Sequence, residues 1–251
     1  MATVENGIAL LHCEDFTDAL GNCTITNNNA IISTEQHKFG SSSLYFNKDN
    51  SSYISIALEH LDTYSIEFWF YPILTQTSNY YPCPVSTTTT NGNGGTYIFL
   101  NDSTYSNNPV YRANTTASGN TGGHGSTVIT SNNWHHMAIC KSGSSHYFFL
   151  DGNLEQTVTQ SSSNRITAWY LGAKRRVSDM QSNCYYTGYI DEILISSTCK
   201  WTTSFTPPTE AYGTDTGTFN IKVGNTTINN IYLGTTKINK VYIGDTVVYK
   251  V

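Results

Sequence analysis

Chemistry in this chain would have to come from a small set of carboxylates and imidazoles, because only 12% of its 251 residues are charged. Glycoside cleavage needs two carboxylates flanking the scissile bond, one as nucleophile or base and one as acid. Asp191 and Glu192 are adjacent, so strand alternation sends them to opposite faces. Glu67 has no acidic residue two or four positions away. No Gly-x-Ser-x-Gly elbow and no His-Glu-x-x-His helix occurs. His135 and His136 are neighbours, which in a strand face apart and cannot chelate one ion together. His124, flanked by glycines, is expected to be solvated, and His136 to pack in the core. The expectation is a protein that binds and does not catalyse.

Binding chemistry has more material. Sugar rings present apolar C–H faces, and sites for them combine aromatic platforms with planar amide and carboxylate partners. Residues 75–127 carry Tyr80, Tyr81, Tyr97, Tyr105 and Tyr111 among Asn91, Asn93, Asn101 and Asp102. Within this stretch Tyr80-Tyr81-Pro82-Cys83-Pro84 reads as a rigid exposed turn, because proline fixes the backbone. Trp169 and Tyr170, with Arg175 and Asp179, form a second candidate rim. The glycan-binding candidates are Tyr80, Tyr81, Tyr105, Tyr111, Trp169, Tyr170, Arg175 and Asp179.

The elements that must position them are strands. Aromatic residues make up 13% of the chain, and Thr, Ser, Asn and Gly abound where helix formers are sparse. In Tyr64–Tyr71 the residues Ile66, Phe68 and Phe70 share one face, and Ser65, Glu67, Trp69 and Tyr71 the other. His135–Lys141 alternates likewise. Lys141-Ser142-Gly143-Ser144 and Asp151-Gly152 are good hairpin turns. Many short strands at turn spacing read as an all-β, two-sheet antiparallel jelly-roll sandwich.

Six cysteines without a CxxC pair give a structural zinc site little support. Met1–Ala9 has no basic region ahead of a long apolar run, so the thiols are expected to be reduced, with Cys13, Cys140 and Cys199 acting as small hydrophobes. A net charge of −5 argues against nucleic acid as a main partner. The one basic cluster, Lys174-Arg175-Arg176, reads as a solvated loop. No apolar run approaches the length a bilayer demands.

Five segments fall in a familiar order: Leu10-Leu11-His12-Cys13-Glu14-Asp15-Phe16; Lys38-Phe39-Gly40 through Leu44-Tyr45-Phe46; Ser65-Ile66-Glu67-Phe68-Trp69-Phe70; Trp134-His135-His136-Met137-Ala138 with Phe149-Leu150-Asp151-Gly152; and the closing stretch from Tyr189 to Tyr212. Together they resemble the laminin-G-like domains of the concanavalin A-like lectin/glucanase superfamily, in the bacterial and phage version. That resemblance, over roughly residues 8–212, implies a jelly roll that usually binds glycans. It also implies a possible structural calcium, with Asp15 and Asp191 at the matching positions. The laminarinase-type Glu-x-Asp-x-x-Glu strand of catalytic relatives does not occur here.

The end of the chain repeats every ten residues: IKVGNTTINN, IYLGTTKINK, VYIGDTVVYK from 221 to 250. Gly224, Gly234 and Gly244 are expected to mark turns or bulges in a small meander or prism-like unit. So short a segment cannot build its own core. It reads as a docking or oligomerisation tail, residues 213–251, behind a jelly-roll domain of residues 1–212, with a trimer as the natural assembly. Similar Gly-Thr repeats resemble the ends of phage structural proteins. The implied function is a virion-associated module that adheres to a bacterial surface glycan beside other virion proteins. A purely structural head or tail decoration protein is the alternative.

Overall fold

The computed structural model describes residues 2, 4–74, 80–89, 95–100, 109–116, 119–160, 166–176 and 179–213, together with short strands between 221 and 250. Two antiparallel sheets pack face to face. The larger contains β1 (Gly7–Leu11), β3 (Ile31–Ser33), β4 (Ser43–Phe46), β6 (Tyr64–Pro72), β11 (His135–Ser142), β12 (Ser145–Leu150), β13 (Asn153–Thr159) and β17 (Gly188–Ser196). Its order is β13-β12-β11-β6-β17-β4-β3, with β1 also paired to β17. The smaller contains β2 (Ile25–Asn28), β5 (Tyr53–Leu61), β7 (Val85–Thr89), β8 (Tyr97–Phe99), β9 (Val110–Thr116), β10 (Gly119–His124) and β14 (Ile166–Leu171), in the order β10-β9-β8-β7-β14-β5-β2. Outside both lies the hairpin of β15 (Ala173–Arg175) and β16 (Met180–Tyr185). The one helical turn among the described residues is Lys48–Asn50.

Alternation decides which side chains enter the sandwich. Ile66, Phe68 and Phe70 of β6 meet Met137 and Ile139 of β11, Ile190 and Ile195 of β17, and Trp169 and Leu171 of β14 in one core. The predicted turns are present: Ser142 pairs with Ser145 around Gly143, and Asp151-Gly152 joins β12 to β13 with φ of 50° and 78°. Gly152 is required twice over. Its φ is left-handed, and a Cβ there would strike the carbonyl of Phe205.

That carbonyl belongs to a strap, residues 197–213, which leaves β17 and crosses the outer face of the larger sheet. Phe205 N–H donates to Gly152 O at 2.8 Å, and Leu154 N–H donates to Ser204 Oγ at 3.0 Å. Trp201 and Phe205 stack at 3.8 Å and pack on Ala138, Cys140 and Phe149. Under the strap Glu67 and His136 are both only 1% exposed. Lys200 Nζ donates to Glu67 Oε1 at 2.5 Å, and His136 Nε2 lies 3.3 Å from Oε2. Burial opposes ionisation of Glu67, yet His136 and Lys200 hold its carboxyl below the usual range. His136 is therefore buried as expected, on the outside of its sheet and not between the sheets.

In the tail each repeat forms its own hairpin: Ile221–Val223 with Thr226–Ile228, Tyr232–Leu233 with Thr236–Lys237, and Lys240–Ile243 with Thr246–Lys250. Among the described residues each repeat pairs within itself, and no ladder joins one repeat to the next. The three repeat glycines lie outside the described residues.

Two expected outcomes follow from this packing. Lys200→Ala leaves a buried carboxylate without its ammonium, and should lower the unfolding free energy by about 3 kcal/mol in urea titrations. His146, 1% exposed, has its imidazole pushed down to about 4 by burial and then by Lys141. Between about pH 6.5 and 4 the unfolded chain takes up a proton there that the folded protein refuses. Stability should therefore fall as pH falls through that window, by at most about 3 kcal/mol from this group. Melting curves of His146→Leu should be flatter over the same pH range.

Candidate functional site

The strap leaves one stripe of the larger sheet uncovered. Tyr71 of β6 pairs with Tyr189 of β17, Tyr189 with Tyr45 of β4, and Tyr45 with Ile31 of β3. All point outward, because each shares parity with the outer residues of its strand. Trp134, just before β11, extends the line. Ring centroids are 5.6 Å apart for Trp134–Tyr71, 5.8 Å for Tyr71–Tyr189 and 4.9 Å for Tyr189–Tyr45. With strands about 4.8 Å apart, five positions span roughly 19 Å. Trp134, Tyr71 and Tyr45 are half-buried, Tyr189 is buried, and Ile31 is 55% exposed.

Polar groups border this row. Tyr189 Oη donates to Glu35 Oε2 at 2.7 Å, and burial with that carboxylate pushes the phenol up to about 12. On the strap side Lys38 Nζ sits 3.8 Å over the Trp69 ring, a cation–π contact. Trp69 also meets Phe39 and His136 edge-on. At the other end Asn132 and Asn133 are exposed beside Trp134. The arrangement is an amphipathic aromatic strip with hydrogen-bonding groups at its margins. Adjacent Trp69 and Tyr71 were already assigned to one face by alternation. The join to Tyr189, Tyr45 and Trp134 needed the strand register.

The residues singled out from sequence lie elsewhere. Tyr111 is fully buried in the core, its ring 5.1 Å from Phe148, and Trp169 is fully buried against Tyr64 at 5.4 Å. Neither can touch a ligand on the surface, because both strands turn these positions inward. Tyr105 lies outside the described residues. The 80–84 segment is not an exposed turn: Pro82, Cys83 and Pro84 are buried, and Tyr80 Oη donates to Tyr185 O at 2.7 Å. Tyr81, half-buried, packs on Phe99 at 5.5 Å.

Tyr170 and Arg175 are brought together on the outer face of the smaller sheet, with the guanidinium 5.6 Å over the ring. Asp179 is exposed and paired with Arg176 at 2.8 Å. Lys174 caps Tyr97 at 4.0 Å and Phe99 at 5.2 Å, so this part of the basic cluster is packed on rings and is not a solvated loop. A cleft of about 390 Å³ lined by Gly7, Ile8, Asn22, Cys23, Ala57, Leu58 and Leu61 holds no charged group.

The carboxylates of the calcium expectation are turned to donors. Asp191, fully buried, accepts from Lys38 N–H at 2.7 Å, Phe39 N–H at 3.1 Å and Glu192 N–H at 2.8 Å. Burial nevertheless pushes it up to about 7. Asp15 is exposed and accepts from the Thr17 N–H and hydroxyl. Glu192 sits in a bulge of β17 at φ 50°, out of the expected alternation. It accepts from Tyr212 N–H at 2.9 Å and lies 2.7 Å from His12 Nδ1, and that contact raises the His12 pKa. Among the described residues no three His, Cys, Asp or Glu side chains converge as a metal site. Each oxygen of Asp191 already faces an N–H, so these residues do not fit a calcium ligand set.

A laminin-G-type sequence family, described as the concanavalin A-like lectin/glucanases superfamily, matches residues 48–200. The chain belongs to this superfamily. The fold agrees with solved structures at low identity. The binding domain of botulinum neurotoxin DC in complex with SialylT is 15% identical with a TM-score of 0.55, covering 77% of this chain and 48% of that one. The receptor-binding domain of botulinum neurotoxin type G gives 15% and 0.54 over the same shares. The Trypanosoma rangeli sialidase gives 8% and 0.56, covering 77% of this chain and 31% of that one. This chain thus spans about half of the neurotoxin domains and a third of the sialidase, and the likeness is one of fold. No curated protein matches the sequence. Among the described residues no helix is long and apolar enough to cross a membrane.

The donor geometry at Asp191 generates a direct test. Chelator should leave the melting temperature unchanged, since Asp191 spends its oxygens on backbone N–H groups and offers no calcium for chelator to remove. A drop of several degrees, abolished in Asp191→Ala, would instead establish calcium.

Proposed function

We propose that this protein is a non-catalytic glycan-binding module, and that the Trp134–Tyr71–Tyr189–Tyr45 row is its platform. The observation that carries the reading is the row itself: the half-buried rings of Trp134, Tyr71 and Tyr45 lie in line across neighbouring strands around the buried ring of Tyr189, on the part of that face beside the strap. Such a strip offers C–H stacking along an extended saccharide, with Glu35, Lys38 and Asn133 at its margins for hydroxyl groups. The superfamily membership supports the same class of ligand. Two structural neighbours are a receptor-binding domain and a binding domain in complex with SialylT, which is in keeping with recognition without chemistry.

Against catalysis stand the carboxylates. Glu67, Asp191 and Glu192 are all buried and engaged by Lys200, by backbone N–H groups and by His12. Among the described residues none of the three faces a second carboxylate across an open cleft, as glycoside hydrolysis demands. The particle context, a phage virion exposing the module to a bacterial surface polysaccharide with the repeat tail as its attachment or trimerisation element, rests on the sequence resemblance and the repeats.

A glycan array of bacterial surface polysaccharides followed by titration calorimetry is the test. Tyr71→Ala and Trp134→Ala should each weaken binding about tenfold or more while the circular dichroism spectrum stays that of the parent. Retained affinity in both, with loss in Tyr170→Ala, would move the site to the smaller sheet. No ligand on the array would favour the structural decoration role.

A further inference from the structure

The strap carries a second feature that glycan binding does not use. Cys140 lies on the outer face of β11, and Cys199 lies on the strap above it. Both belong to the apolar cluster in which Cys199, Trp201 and Phe205 pack on Ala138, Cys140 and Phe149. Both thiols thus lie in the one apolar cluster between strap and sheet, and Cys199 Sγ donates to Trp201 O at 3.4 Å. Both thiols are free. We infer that Cys140 and Cys199 form a dithiol that closes to a disulfide in the presence of a low-molecular-weight disulfide, fastening the strap covalently to the larger sheet.

The two sulfurs are placed for different parts in this reaction. Cys199 is half-buried, and its interaction with Cys140 pulls its thiol down, against the effect of burial. Cys140 is fully buried, and the same contact together with burial pushes it up. The thiolate is the nucleophile in exchange. Cys199 attacks one sulfur of the external disulfide. A new S–S bond forms, and the other half leaves as a thiolate. Cys140 then gives up its proton and attacks the Cys199 sulfur, expelling the second half. Two protein thiols are oxidised, and one small disulfide is reduced to two thiols.

The other cysteines lack this arrangement. Cys83 and Cys184 share a cluster, but burial pushes both thiols up, and both side chains are buried. Cys23 is pushed up to about 11, again by burial first, and its Sγ faces Ile8 O at 3.8 Å. Cys13 is buried beside Asp191 and Glu192, with its thiol also raised.

The full-length protein, incubated natively with oxidised glutathione, should lose two hydrogens by intact mass. Peptide mapping should place the link between residues 140 and 199. The link closes a long loop in the unfolded chain, so the melting temperature should rise on the order of 10 °C and return with a reducing thiol. Hydrogen exchange at the Phe205 and Leu154 amides, which bond the strap to the β12–β13 end, should slow at the same time. Cys140→Ser should stop at the glutathione adduct on Cys199, and Cys199→Ser should take up no glutathione at position 140. Should Cys140→Ser fail to fold, the mapping of the parent protein decides alone. An unmodified mass, a link between other cysteines, or an adduct that never resolves in the parent would overturn the inference.

Discussion

A buried carboxylate organises the outer face of this sandwich. Glu67 lies on the mixed face of β6, where alternation must put a polar residue once Ile66, Phe68 and Phe70 are committed to the core. Left in water it would cost nothing. It is covered instead, and a covered carboxylate requires partners. Lys200 from the strap and His136 from β11 supply them. The strap is thereby held in one place along the strand direction, and its aromatic residues fall on Phe149 and Ala138. Which stripe of the sheet stays open is a consequence. Glu67 and Trp69 lie beneath or beside the strap, and Tyr71, two positions further on the same side, does not.

The two faces of the molecule consequently differ in character. On the larger sheet the open stripe is aromatic, with one carboxylate bonded to a phenol and one ammonium seated on Trp69. On the smaller sheet Lys174 sits over Tyr97 and Phe99 and Arg175 over Tyr170, Arg176 pairs with Asp179, and Arg112 spends its guanidinium on the Tyr111 and Gly123 carbonyls. Desolvation lowers the Lys174 pKa, and neighbouring Arg176 and Arg112 lower it further. That face carries concentrated positive charge on a chain whose net charge is −5. Under the glycan-binding proposal a neutral saccharide would gain little from it, whereas the aromatic stripe would offer it contact area.

Sheet membership, turns and core were legible because they depend on local alternation. Ile66, Phe68 and Phe70 could be placed inward from a period of two, and Asp151-Gly152 could be placed in a turn from its residue types alone. The burial of Tyr111 and Trp169 and the outer aromatic stripe were missed for the opposite reason. Trp169 and Tyr170 are consecutive in a strand, so only one could face outward, and parity with Leu171 already pointed to Tyr170. Tyr111 was drawn inward by the register of β9 against Ile98 of β8. The aromatic stripe joins residues 45, 71, 134 and 189, and only the pairing of β4, β17 and β6 brings them together. The bulge at Glu192 and the long reach of the strap are likewise tertiary facts.

The strap and the stripe also share a border. Trp69 is 9% exposed, with Lys38 on one of its faces and the imidazole of His136 at 5.1 Å. Phe205 of the strap packs edge-on to the same imidazole at 5.8 Å. A ligand lying along the stripe would therefore touch a wall whose position depends on how the strap is seated. If the strap frays, Glu67 and His136 gain water and the wall softens, while the stripe itself, built on four paired strands and the residue preceding β11, keeps its spacing. On the proposed reading, affinity for the rings would be set by the sheet through strand spacing, and selectivity against substituents on their strap side by the buried ion pair through the strap.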